Sequence, residues 1–405
     1  MGNSSSAPAP TGTRQEQAQT KLTQLIRANH ATYAVLYHDR RFHNHLPHLL
    51  GSAYLLGASA GQLAELYEAK TSDLEQWRED NPDEVTADDW VDLCGRREYQ
   101  RGFRDYFDEE MMEYNYDWRR VVAKYLLAED GRLLNALAAD VAHPLIHLAY
   151  AVELDSAELA VEALTLAAVC YSPYTSLVGD FVAAAPTGTE RDPLAVLSTL
   201  RTVPELGFTA TLNVDAATDT YARVLDDDVL PHIERALHAL DTVDASDALE
   251  RITRACATLL TATHPDDRVV FDFYLLHALT AAHAAQVVLP LFAGHERALV
   301  GALWLHVILL YVAVQRPSVR PERDSRYVMP AGESWETVTE LALSGPQRQD
   351  VHYVKALRAL RWMDGIYSPQ EHEFLRPASK FAREKVEFAF GAAKADRGVQ
   401  LDAAP

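Results

Sequence analysis

Three histidines fall within six positions of one stretch, Phe42-His43-Asn44-His45-Leu46-Pro47-His48, and an apolar run follows directly. Imidazole is the commonest metal ligand, and it is neutral or nearly so at cellular pH. Three later segments repeat the theme: His143-Pro144-Leu145-Ile146-His147, Leu275-Leu276-His277-Ala278-Leu279-Thr280 and His352-Tyr353-Val354-Lys355. His45 and His48 are three apart, hence on one face of a helix that already includes His45. His143 and His147 straddle a helix start, because the residue before a proline avoids helical dihedrals. His352 and Lys355 are again three apart, among the apolar neighbours Val351, Val354 and Leu357. A lysine on an inward face needs a partner or a modification, since burying an ammonium is costly. Held beside a metal, it can take up carbon dioxide and become a carbamate, a carboxylate-like oxygen ligand on a long arm. Histidines from separate helices plus one such oxygen make a site suited to Fe(II), Zn(II) or Mn(II). The competing reading is a set of buried, hydrogen-bonded histidines.

The other histidines carry less. His30, His38, His232, His238, His264, His295 and His372 sit on polar or amphipathic stretches and receive no role. His283 and His306 lie in apolar helices and read as core residues. The chain has no HExxH, no CxxC, no di-iron ExxH set, no GxSxG elbow, no GxGxxG and no GxxxxGK[ST] loop, which removes the usual zinc-protease, α/β-hydrolase, Rossmann and phosphate-loop chemistries. A formal charge of −21 argues against a nucleic-acid partner, because phosphate binding needs a basic face. Cys94, Cys170 and Cys256 are far apart and odd in number. They suggest a reducing, cytoplasmic compartment.

The elements that must position these residues read as helices. The chain is rich in Ala and Leu and has only 18 Gly, a composition that favours helix over sheet. The expectation is an all-α, single multi-helix globular body with a metal site in its helical core, of the kind helix bundles build from inward-facing side chains. The body spans 14–390, between a disordered Ser- and Pro-rich tail at 1–13 and a frayed tail at 391–405. Met1-Gly2-Asn3-Ser4-Ser5-Ser6 matches a myristoylation pattern, but the flexible-tail reading is preferred. Helical periodicity covers Arg14–His38, the FHNHLPHLL stretch to about Gly57, Ala60–Lys70, Tyr99–Met112, Val121–Ala138, the His143 junction to about Asp155, and Ala157–Cys170. It resumes over Ala248–Ala262, Arg268–Leu289, Gly294–Val314, Trp335–Leu343, Asp350–Asp364 and Gln370–Phe390. Asn81-Pro82-Asp83 reads as a turn, and Phe208–Leu212 as a short β-like run in an irregular middle. Ala298–Val314 is long enough to approach a membrane span. It contains His306 and has no second such segment beside it, so it reads as a buried core helix and no membrane partner is expected.

The ordered set FHNHLPHLLGSAYLLGAS, HPLIHLAYAVEL, FYLLHALT and DVHYVKALRAL resembles the questin oxidase-like proteins in content and order, over residues 42 to 360. The resemblance implies an all-helical fold and oxidative chemistry on polycyclic aromatic ketones. That chemistry is an O2-dependent opening of a ring in an anthraquinone-like polyketide, formally a Baeyer–Villiger oxygen insertion. It further implies non-haem iron, Fe(II), held by histidines and a carbamylated lysine. Lys355 then matches that lysine, His352 is its helix neighbour, and His277 matches the histidine of LLHALT. The remaining ligands come from His45 or His48 and from His143 or His147. His48 and His147 are assigned, as the second histidine of each pair lies more securely inside its helix. His45 and His143 are left to support the ligands, bind substrate, or act as catalytic base toward a substrate phenol. Tyr54, Tyr150, Thr280, Tyr353 and Trp362 are candidates to contact a flat aromatic substrate, although aromatics at this spacing also read as plain core.

Three alternatives stand beside this reading. They are a Baeyer–Villiger monooxygenase drawing on NADPH as an outside reductant, a Zn(II) hydrolase using the same ligands, and a non-catalytic binding protein for hydrophobic ligands.

Overall fold

The computed structural model describes residues 13–78, 84–127, 132–207, 216–265, 268–385 and 387–390. The expected Asn81–Asp83 turn, the Phe208–Leu212 run and nearly all of both tails lie outside them. The described residues form helices joined by turns and irregular segments, with two strand pairs of two residues each. One hydrophobic cluster extends from Ala18 to Ala382.

Local signals explain where the helices begin. Thr13 caps Arg14–Thr32 in a reciprocal box with Glu16, and Ser59 does the same for Ala60–Thr71 with Gln62. Such boxes satisfy backbone N–H groups that the first turn leaves open. Asp272 and Asp350 cap the helices Phe273–Val288 and Val351–Tyr367 by accepting from two backbone N–H groups each. The expected Arg14–His38 helix is shorter. It ends at Thr32, and Leu36–Tyr37 pairs antiparallel with Phe42–His43. Gln100 is the physical reason, since its side-chain amide both accepts from Leu36 N–H and donates to Leu36 C=O. The expected Val121–Ala138 helix is instead two, Trp118–Leu126 and Arg132–Asn135. The closing helix stops at Glu384, and Phe388–Ala389 pairs parallel with Phe271–Asp272.

The centre of the body is the Phe273–Val288 helix. Helices His143–Leu154, Ala245–Thr261, Glu296–Ala313 and Val351–Tyr367 pack around it, and Leu46–Leu55 lies against the first and last of these. All four histidine segments therefore meet in one bundle. Two of the core segments, Phe273–Phe292 and Glu296–Ala313, are long and apolar enough to cross a membrane. Only the second was anticipated. Both are mostly buried, at 72% and 89%, which is how core helices of a globular body behave.

Candidate metal centre

Two strained turns deliver the first two segments. His38, Asp39 and Arg40 have φ of 50, 54 and 63°, and Asp140, Val141 and Ala142 have φ of 46, 59 and 56°. Left-handed residues other than glycine are uncommon, and a β-branched Val141 there is an outlier. Such strain concentrates at functional sites and has to be held by its surroundings. A single side chain ties the two turns together. Arg97 donates from Nη1 to the Arg40 carbonyl and from Nη2 to Asp140 Oδ2, each at 2.7 Å. His43 stacks on His143 with ring centres 3.6 Å apart and planes within 3°. Its Nε2 lies 2.9 Å from Asp140 Oδ2. Burial would raise the Asp140 carboxyl, but His43 and Arg97 hold it below the usual carboxylate range.

Three imidazoles converge from these turns and the central helix. One ring nitrogen each from His45, His143 and His277 lies within 4.8 Å of the other two. The Nδ1 of each ring faces a backbone carbonyl: His45 that of His43 at 2.6 Å, His143 that of Asp140 at 2.8 Å, and His277 that of Phe273 at 2.8 Å. A carbonyl only accepts, so each Nδ1 carries the proton and each neutral ring presents its Nε2 lone pair. His45 Nε2 and His143 Nε2 are nevertheless 2.9 Å apart. Two lone pairs at that distance repel unless a cation lies between them. A metal with imidazole bonds of about 2.1 Å and ligands at right angles separates two nitrogens by about 3.0 Å. Burial, reinforced by Lys355, keeps all three rings well below the ordinary histidine range. They are therefore in the unprotonated state that metal ligation needs.

Two further groups stand beside the three. The His352 ring is 4.9 Å from His45 and 5.1 Å from His277, and its Nε2 is buried without a hydrogen-bond partner. Lys355, one turn on, is 2% exposed with an unpartnered Nζ. Burial lowers it to about 7, offset in part by Asp350. Phe273 covers this side, 4.6 Å from His277 and 4.8 Å from His352, with Phe390 5.1 Å behind it. The sequence reading did not pick out these phenylalanines.

The structure gives the two members of each histidine pair different surroundings. His45 is the N-cap and lies outside the Leu46–Leu55 helix, so it does not share a helical face with His48. His147 has both nitrogens engaged, Nε2 with Glu162 at 2.7 Å and Nδ1 with His48 Nε2 at 2.9 Å. The rings with a free Nε2 aimed at a common point are thus His45 and His143, the members set aside as support. His48 instead leaves a buried, unpartnered Nδ1 and stacks on Tyr150 at 4.9 Å.

The expected pocket residues divide as well. Tyr150 packs beside the cluster, its hydroxyl 2.6 Å from Ser52 Oγ. Thr280 donates to the His277 carbonyl. Trp362 meets His283 edge-on at 5.1 Å, and Tyr54 is partly buried against the core. Tyr353 turns away, donating to the Ala382 carbonyl and stacking on Phe381, so it is core. Glu162 and His30, given no role above, are hydrogen-bonded into the same buried group through His147. Glu162 is the lone carboxylate in the middle of the apolar Ala157–Val169 helix, a signal that could have drawn attention; His30, on an amphipathic helix, offered none.

The chain is similar to several known proteins. A family model described as questin oxidase-like matches residues 42–360. The oxidoreductase AflY of Aspergillus parasiticus is 24% identical over 91% of this chain and 77% of its own length. The Baeyer-Villiger monooxygenase AacuH of Aspergillus aculeatus is 27% identical over 38% of this chain and 33% of its own. The Baeyer-Villiger oxidase AgnL3 of Paecilomyces divaricatus is 30% identical over 36% and 33%.

Proposed function

The chain belongs to the questin oxidase-like family, and from that premise we propose that it is an oxygenase that opens a ring of an anthraquinone-like polyketide with O2. The observation that carries the reading is the set of Nε2 lone pairs of His45, His143 and His277 directed at one point, two of them 2.9 Å apart. With His352 and a carbamylated Lys355 they would hold Fe(II). Imidazole and carboxylate-like oxygen donors suit that ion. A bound ferrous ion supplies the one-electron chemistry that lets O2 react with a closed-shell phenol.

The chain's own residues do the rest. Burial leaves much of Lys355 unprotonated near neutral pH, the form that takes up carbon dioxide. The three backbone carbonyls fix the imidazole tautomers. Phe273 offers an aromatic ring to a flat substrate, and the enclosing helices exclude water. A histidine near the centre takes the phenol proton, a task suited to imidazole. Electron balance then separates two outcomes. Inserting one oxygen atom sends the other to water and consumes two electrons from an outside reductant such as NADPH. Incorporating both atoms needs no reductant.

Elemental analysis of wild type beside Lys355→Ala and His277→Ala, with O2 uptake on a hydroxyanthraquinone, tests the reading. A single iron per chain in wild type, lost in both variants, is expected, together with substrate-dependent O2 uptake. A folded wild type that takes up no Fe(II) would overturn the metal centre. Tightly bound zinc without O2 uptake would move the assignment to hydrolysis.

A further inference from the structure

Beyond the converging imidazoles, buried polar groups form one continuous chain to the surface. His48 Nε2 is 2.9 Å from His147 Nδ1, and His147 Nε2 is 2.7 Å from Glu162 Oε2. Glu162 Oε1 is 3.0 Å from His30 Nδ1, and His30 Nε2 is 3.3 Å from both Asp108 oxygens. Glu162 is 2% exposed, whereas the Asp108 side chain is 37% exposed. We propose that Glu162 and His30 are positioning residues that set which nitrogen of His147 and His48 carries the proton, and that the chain exports a substrate proton to solvent at Asp108. The substrate half of this inference rests on the proposed function; the tautomers do not.

The orientation follows from donors and acceptors. An ionised carboxylate only accepts. Both His147 Nε2 and His30 Nδ1 therefore donate to Glu162. With that single proton on Nε2, His147 has its lone pair on Nδ1, which accepts from His48 Nε2–H. His48 is left with a bare Nδ1, the atom that is buried without a partner beside Tyr150. Geometry thus assigns a free base to the inner end and a water-accessible carboxylate to the outer end. The acceptors Glu162 and Asp108 also account for His30 rising to about 9 despite its burial, which alone would lower it.

The transfer balances. The substrate O–H breaks as His48 Nδ1–H forms. His48 Nε2–H breaks as His147 Nδ1–H forms, and His147 Nε2–H breaks as Glu162 Oε2–H forms. His30 Nε2–H breaks as an Asp108 O–H forms, and that proton leaves to water. His48 and His147 exchange the nitrogen that bears hydrogen without changing charge. Glu162 and His30 both become neutral. One proton moves out per passage, and the chain resets when a proton returns from solvent along the same path and His48 Nδ1 hands it to the product oxyanion.

Long-range proton–nitrogen NMR of the histidine-labelled full chain at neutral pH tests the inference. Expected are His48 and His147 protonated on Nε2 only, and His30 on both nitrogens. In Glu162→Leu, His48 becomes a mixture of tautomers and His30 loses its second proton. Asp108→Asn, at the solvent end, retains the His48 tautomer. On mixing with a dihydroxyanthraquinone it releases the phenolic proton to an indicator dye about tenfold more slowly, a fraction of what general acid–base assistance typically supplies. A wild-type His48 protonated on Nδ1 overturns the proposal, as does a folded Glu162→Leu with an unchanged His48 signal. Equal release rates in wild type and Asp108→Asn overturn the exit. If the quinone does not bind, the substrate reading fails while the tautomers still decide the relay.

Discussion

Two groups of imidazoles share this core, and they are anchored differently. His45, His143 and His277 each give their Nδ1 proton to a backbone carbonyl. His147 gives its Nε2 proton, and His30 its Nδ1 proton, to a carboxylate, Glu162. A carbonyl holds a ring in one tautomer and cannot take the proton away. A carboxylate holds the ring equally well and can accept the proton. The first arrangement suits a ligand, whose lone pair must stay where it is. The second suits proton movement. Both occur within one bundle because the first set sits on turns and a helix start with carbonyls at hand, while Glu162 arrives from a separate helix.

The largest expected effect separates the two groups by metal. His143→Ala removes a carbonyl-anchored ring, and Fe(II)-reconstituted protein should then retain only background iron. His147→Phe, in the carboxylate-anchored group, should keep most of its metal. Elemental analysis that finds the reverse would exchange the roles. Removing the shared carboxylate comes next. Glu162→Ala leaves two buried imidazoles without their acceptor, and breaking a buried pair of this kind costs about 3–5 kcal/mol. Urea unfolding should read that loss; a cost within error would mean the chain is not a coupled unit.

Gly51→Ala acts on the boundary between the groups. A Cβ there would meet the Tyr150 ring at 2.7 Å, and Tyr150 stacks on His48. Overpacking typically costs about 1–3 kcal/mol, so a variant as stable as wild type would show that Tyr150 moves freely. The smallest effect is in pH dependence. Glu162 and Asp108 raise His30 above its unfolded value, to about 9. Its contribution is therefore complete below about 6.5 and is lost as pH rises through about 9. Glu162 has the opposite sign. Its pKa falls to about 2, so its contribution is present above the ordinary carboxyl range and is lost as pH falls through about 2. Unfolding free energies across the alkaline window should decline in wild type and less so in His30→Gln. Parallel curves would remove His30 from the ion-paired chain.

The helices and the identity of the four histidine segments were legible in the residues themselves. Apolar spacing, Pro47, Pro144 and the Asp350 cap are local signals, and a helix is a local structure. Where the reading overran, the chain was recruited by partners outside its own pattern: at Leu36 by the distant Gln100 side chain, and at Phe388 by the strand at Phe271. Lys355 could be suspected because an ammonium among Val354 and Leu357 is costly wherever the helix lies. The choice within each histidine pair was not legible. It depends on which nitrogen finds an acceptor, and the acceptors come from the left-handed turn at Asp140, from the backbone beside His45, and from Glu162 on another helix. Sequence alone determined that imidazoles and a lysine would be buried together in an all-helical core. Tertiary structure alone decided which lone pairs remain free, because a histidine tautomer is set by the hydrogen bonds packing brings to it.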